Sequence, residues 1–316
     1  MKVLAKERLL LLRSILVWFL CVVCFSTFSV FANDLQLKGE MTQGSLIRGQ
    51  VPVGHKVWLN DKSLKVSADG YFAFGFGRDA ELTHQLKWSD NQGVEQTRSL
   101  QLQTRTYDIQ KIEGIPSKYV SPPKEVSERI KLDNRQIGKA RALDDARTDF
   151  YQDFIWPAEG PISGVYGSQR VFNGTPKRPH FGLDVAAPTG TPVYAPANGI
   201  VTLFVPDMYY SGGTMIIDHG HGVSSTFLHL SKGHVEAGTS VKQGDLVAEI
   251  GSTGRATGPH LDWRINWFKE RLDPALLVPT FYLCLLIKSS IFTLAFSLNF
   301  CIIRALPSCP RLWESG

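Results

Sequence analysis

From Trp156 to Pro279 the chain is dense in Gly, Pro, Val and Thr and shows little helical periodicity. Such a stretch cannot build a helical bundle, so it must satisfy its backbone between short extended segments, as an antiparallel β-sheet. Glycines at 190, 199, 238, 244 and 251 fall where turns between such strands are expected.

The preceding residues repeat the pattern on a smaller scale. Between Leu35 and Thr104, alternating segments such as His55-Lys-Val-Trp-Leu-Asn60 and Gly70-Tyr-Phe-Ala-Phe-Gly75 are punctuated by Asn60-Asp61 and Asp69-Gly70. These are hairpin signals and predict a small antiparallel β-sandwich, suited to positioning or partner binding. Pro116, Pro122 and Pro123 then mark a linker. Ser121 is a candidate cap for a helix running to about Phe150, with Val126, Ile130, Ile137 and Leu143 on roughly one face. Its many charges read as a solvated surface.

Chemistry is confined to a few side chains. In His180-Phe-Gly-Leu-Asp184, read as a strand, His180, Gly182 and Asp184 share one face, and Phe181, Leu183 and Val185 the other. In Pro259-His260-Leu261-Asp262-Trp263 the same count puts His260, Asp262 and Arg264 together, opposite Leu261, Trp263 and Ile265. If the two strands are neighbours, about 5 Å apart, their polar faces can converge on one divalent cation. A catalytic zinc takes three protein ligands and keeps one position open. His180, Asp184 and Asp262 would supply the three. His260 and His229 would stay unligated beside them, able to move a proton or to stabilise developing charge.

Several further runs agree in order and spacing with one family. Arg178-Pro-His-Phe-Gly-Leu-Asp184, Gly190-Thr-Pro-Val-Tyr-Ala195, Asn198-Gly-Ile-Val201, Thr226-Phe-Leu-His-Leu230, Val241-Lys-Gln-Gly244 and Thr257-Gly-Pro-His-Leu-Asp262 together resemble the zinc metallopeptidases of the lysostaphin and LytM type. The resemblance covers roughly Phe154 to Pro279. It implies a secreted zinc metalloendopeptidase that hydrolyses peptide bonds in peptidoglycan. It also implies Zn2+ as cofactor, His180 and Asp184 as metal ligands, and His229 and His260 as catalytic histidines. The family's last ligand is the second histidine of a His-x-His pair; here Asp262 stands in that position. One imidazole with two carboxylates makes a harder, more negative site than the family's own. The alternative function is a catalytically degenerate homologue that binds cell wall or activates another wall hydrolase. A lid over the groove is a second reading of the linker helix. The loop Asp207-Met-Tyr-Tyr-Ser-Gly-Gly213 either lines a peptide groove or packs as an ordinary hairpin.

The remaining histidines, His55, His84, His219, His221 and His234, read as satisfied surface or core residues. In Asp218-His-Gly-His-Gly222 the glycines point to a tight hairpin turn, although the two histidines mimic a metal pair. There is no His-Glu-x-x-His, no Gly-x-Ser-x-Gly and no phosphate-cradling Gly-x-x-x-x-Gly-Lys.

Lys2, Lys6, Arg8 and Arg13, the apolar run from Ser14 to Phe25, and Val30-Phe31-Ala32 together make a secretory signal peptide cut after Ala32. The net charge of +5 is misleading, because residues 1–32 carry +3 and residues 281–316 carry +2, leaving 33–280 formally neutral. Nothing in that body favours nucleic acid. All five cysteines lie in the two terminal segments, so the body needs no disulfide framework. Beyond Pro279, residues 281–303 are apolar but hold Lys288, Ser289, Ser290 and Asn299. That stretch is long enough for membrane contact, so the tail is either an anchor or a non-native extension.

The expected organisation is therefore mainly β: a signal peptide (1–32), a small β-sandwich-like domain (33–105), a helical linker (106–150), an antiparallel β-sheet metallopeptidase domain (151–280) and an apolar tail (281–316).

Overall fold

A computed structural model describes residues 35–112, 124–172 and 174–279. The expected signal peptide, the Ser121 cap and the tail lie outside the described residues. The described residues from Leu37 to Pro279 belong to one compact unit.

The first strands are β1 (Gln36–Lys38), β2 (Leu46–Gln50), β3 (Lys56–Leu59), β4 (Lys62–Leu64), β5 (Tyr71–Gly75), β6 (Thr83–Ser89) and β7 (Glu95–Gln101). They make two antiparallel sheets, of order β1-β2-β5 and β4-β3-β6-β7. Leu46, Ile47, Phe72, Phe74 and Leu86 are buried in their core. Asn60 and Asp61 both take positive φ, 46° and 64°, as a two-residue hairpin between β3 and β4 requires.

The segment expected to be a Pro-containing linker and helix also contains β8 (Ile109–Ile112) before the helix α1 (Ser127–Arg141). The helix is shorter than the periodicity suggested, and Leu143 lies beyond it, exposed. Asp145 accepts a hydrogen bond from Arg147 N at 2.9 Å, an Asx turn that diverts the chain. Phe150 is fully buried in a separate short turn instead of extending the helix.

The remaining strands are β9 (Ile162–Gly164), β10 (Gln169–Phe172), β11 (Thr175–Pro176), β12 (Leu183–Ala186), β13 (Pro192–Tyr194), β14 (Gly199–Met208), β15 (Gly212–Asp218), β16 (Val223–Gly233), β17 (Ser240–Val241), β18 (Leu246–Ile250), β19 (His260–Trp267) and β20 (Glu270–Leu272). The main sheet runs β17-β14-β15-β16-β19-β12-β9, with β13, β18 and β20 attached at its margins. β8 joins β10 in parallel and, with β11, forms a separate small sheet. Among the described residues the architecture is mainly antiparallel β with one α-helix, as expected.

The sheet's apolar face is completed by Leu183, Val185, Phe227, Leu261, Trp263 and Ile265, all buried. Their alternation with Asp184, Asp262 and Arg264 is what frees the opposite face for polar side chains. The small sheets are tied to this frame by Arg48 Nη1, which donates to Gln152 O at 2.6 Å, and by the Arg105–Asp273 ion pair at 2.7 Å. α1 docks on the β14–β15 hairpin: Arg129 pairs with Asp207 at 2.9 Å, and Asp133 Oδ2 accepts from Tyr209 N at 2.8 Å.

Candidate metal centre and active site

β12 and β19 are antiparallel neighbours, and their register sets Asp184 directly opposite Asp262. The alternation read from the sequence thus places both carboxylates on one face. His180 differs from expectation, because it precedes β12 instead of lying in it. Pro179 offers no N–H to a ladder, and His180 instead exchanges backbone bonds with Gly167 and Ser168, both at 2.8 Å.

That anchoring orients the imidazole. Nδ1 lies 3.2 Å from Val165 O, and a carbonyl can only accept, so Nδ1 carries the hydrogen and Nε2 is left for the site. Nε2 stands 3.1 Å from Asp184 Oδ1 and 3.6 Å from Asp262 Oδ2. One ligand atom from each of His180, Asp184 and Asp262 falls within 4.8 Å of the others. Asp184 Oδ1 is buried and accepts no aligned hydrogen bond. An imidazole nitrogen and two carboxylate oxygens, one of them orphaned, fit a divalent cation such as zinc. Burial opposes charge on His180, but the adjacent carboxylates of Asp184 and Asp262 outweigh it and push its pKa up to about 10. A proton is thus held where a cation would serve the same two carboxylates.

Asp262 has a second partner. Arg264 donates from Nε to Oδ1 at 2.9 Å and from Nη2 to Oδ2 at 2.5 Å. Burial alone would raise the Asp262 carboxyl; the Arg264 guanidinium, helped by His180, holds it well below the usual carboxylate range. Gly182 makes room for this fork, since a Cβ there would meet Asp262 Oδ1 at 2.1 Å and Arg264 Cγ at 2.9 Å.

His229 and His260 sit together, with ring centroids 4.7 Å apart. Each donates from Nδ1 to a backbone carbonyl, His229 to Thr253 O and His260 to Gly258 O, both at 2.8 Å. Both rings therefore turn a free Nε2 away from the backbone. His229 has φ 64°, a left-handed conformation uncommon within a strand. Leu228 pairs with Asp262, so this kink re-aims His229 beside the ligand strand. Desolvation lowers its pKa and favours the neutral imidazole.

The other histidines stay apart from this centre. His219 and His221 lie in the turn between β15 and β16, His219 bonded to Asn198 O and Ser225 Oγ at 2.6 and 2.8 Å. His234 pairs with Glu249 and His84 with Asn60. In the Tyr209-Tyr210 loop, Arg255 stacks over Tyr210 at 4.6 Å, while Ser211 O accepts from His229 N at 2.8 Å. The loop thus abuts the histidine pair.

Sequence reasoning set Arg264 on the face of Asp262 but assigned it no role. The signal was its spacing of two residues from a buried carboxylate. Arg141, treated as part of a solvated helix, is buried and donates from Nη2 to Thr226 Oγ1 at 2.9 Å.

Residues 178–274, which hold these side chains, match peptidase family M23. Over these residues the chain is similar to peptidases of that family. It is 34% identical over 137 residues to the peptidoglycan DD-endopeptidase ShyA of Vibrio cholerae, covering 41% of this chain and 32% of that protein. It is 44% identical over 104 residues to the DD-carboxypeptidase/endopeptidase Mpg of Neisseria meningitidis, covering 33% and 24%. A Pseudomonas aeruginosa crystal structure assigned to peptidase M23 superposes with a TM-score of 0.59 at 26% identity, over 75% of this chain and 95% of that one. The chain spans about a third or less of the length of these curated relatives.

Proposed function

We propose that the protein is an exported, envelope-facing zinc endopeptidase that hydrolyses peptide bonds in peptidoglycan, with its catalytic domain in 151–280 and the β-sandwich and linker in 33–105 and 106–150. The observation that carries this reading is the meeting of His180, Asp184 and Asp262 within 4.8 Å beside the paired imidazoles of His229 and His260. The relatives named for peptidoglycan peptidase activity support the substrate class.

His180, Asp184 and Asp262 hold the metal. Zinc, when bound, supplies the Lewis acid that polarises the scissile carbonyl and makes water nucleophilic at neutral pH. His260 accepts the water proton on its free Nε2 as general base. His229 starts neutral and without a hydrogen on Nε2, so it assists the tetrahedral intermediate as a donor once it has taken up a proton.

One observation favours a second reading, a non-catalytic module that binds wall or activates another hydrolase: Arg264 already engages both oxygens of Asp262. Metal content of the purified protein, measured alongside digestion of purified sacculi, separates the two. The peptidase reading expects about one zinc per chain and release of peptides that a chelator abolishes. Protein that binds no metal and releases nothing would overturn it in favour of the module.

A further inference from the structure

We propose that Arg141 and Arg271, with Arg178 at the rim, form a carboxylate-binding subsite one step along the sheet from the metal centre. The subsite takes a free carboxylate of the peptide being cut. It deepens the peptidase reading, and rests on it for the ligand being a peptide; the anion site itself does not.

The sheet register assembles the cluster. On β16 and β19, Leu228 pairs with Asp262, Thr226 with Arg264 and Ser224 with Asn266, while Asn266 also pairs with Arg271 of β20. These alternate residues share the face of the metal ligands. Arg141 reaches that face from the end of α1 and bonds Thr226, the residue opposite Arg264. Two residues of strand, about 7 Å, separate this position from Asp262.

The charges do not balance. Arg141, Arg178, Arg264 and Arg271 act on one another, and the repulsion adds to burial in lowering Arg141 and in bringing Arg271 to about 10. Against four guanidiniums stand two carboxylates, Asp184 and Asp262, and Asp262 is already clasped by Arg264. Among the described residues neither Arg141 nor Arg271 pairs with a carboxylate. Arg141 Nε, Arg271 Nη1 and Ser224 Oγ are buried without any hydrogen-bond partner. Cations withdrawn from water without a counter-charge are strongly disfavoured, and a divalent metal alongside enlarges the surplus. An anion supplied by the ligand restores the balance.

The guanidinium fork matches a carboxylate or a phosphate, two planar-edge oxyanions it can grip through two bonds. Arg178 is exposed and Arg271 and His180 half-buried, so the cluster opens on the same side as the metal ligands. The distance along the strand suits a peptide whose free carboxylate lies within one or two residues of the scissile bond.

Binding to the full-length protein in the presence of chelator isolates the subsite from metal and turnover. The probes are N-acetyl-D-alanyl-D-alanine as free acid, the same dipeptide as C-terminal amide, and inorganic phosphate. The acid is expected to bind about tenfold or more tightly than the amide, with phosphate competing against the acid. Arg271→Gln, which removes one of the uncompensated guanidiniums, should collapse the acid-to-amide ratio to near one without lowering the melting temperature; Arg141→Gln should do the same. Equal binding of acid and amide, or a ratio that survives Arg271→Gln, overturns the proposal. Phosphate binding with no preference for acid over amide overturns the substrate assignment. Sacculus digestion by the metal-loaded protein is scored separately, so loss of the subsite and loss of the peptidase reading are distinguishable.

Discussion

Arg264 clasps Asp262 through two hydrogen bonds, 2.9 and 2.5 Å long and one to each carboxylate oxygen, from the adjacent position on the same strand face. The pair is electrically neutral, as an imidazole ligand would be. A histidine placed at 262 alone would therefore not repair the site, because it would strand a buried guanidinium beside the cation. Asp262→His is expected to cost about 3–5 kcal/mol of stability and to bind zinc no better than the parent. Asp262→His combined with Arg264→Gln should regain most of that stability and bind zinc more tightly than the single variant. Denaturant unfolding and competition with a chromophoric chelator measure both; a single variant that matches the double would refute the coupling.

Gly182 is a steric requirement of the same pair. A Cβ there would overlap Asp262 Oδ1 and Arg264 Cγ and lie 3.0 Å from Trp263 O. Gly182→Ala should cost roughly 1–3 kcal/mol and weaken zinc binding. Gly190 offers a contrast: its φ of +92° strains any side chain, but nothing lies within 4 Å of the added atom. Gly190→Ala should lower stability by about 1 kcal/mol and leave zinc affinity unchanged, which separates local strain from damage to the site.

The two catalytic candidates differ from the ligands in what their loss should do. His229 and His260 are held by backbone carbonyls and contribute no atom to the cluster of ligand donors. His260→Ala and His229→Ala should each keep the metal and the fold while slowing peptide release from sacculi by roughly 10²–10⁴-fold. His180→Ala should lose the metal itself. If His260→Ala emptied the site, the division of roles would be wrong.

The part of the site that follows a period of two was legible in the sequence. Asp184 and Asp262 fell on matching faces because Leu183, Val185, Leu261 and Trp263 alternate with them and are buried. The His219–Gly222 turn was legible from its glycines. What escaped was set by long-range contact. β8 is four residues long and owes its existence to a parallel partner some 60 positions away, so no local pattern announces it. The helix stops at Arg141, and Phe150, which the periodicity would have placed at its end, is buried in a separate turn 4.8 Å from the His221 ring. Arg141 itself looked like one charge among many on a solvated helix; only the fold reveals that it crosses to Thr226.

His219 links the same turn to pH. Complete burial, its largest influence, lowers its pKa to about 4, while its bond to Asn198 O opposes the shift. Its unfolded value lies near 6.5, so between these limits the unfolded chain binds more protons than the folded one. Stability from this residue is thus fully present above about pH 6.5, declines as pH falls, and is lost by about pH 4. The shift corresponds to something on the order of 3 kcal/mol. His219→Gln should accordingly make the melting temperature rise less, or fall more, with pH across that window than in the parent, while lowering the plateau. A variant that keeps the full slope would assign the pH dependence to other groups and leave His219 as an ordinary packed side chain.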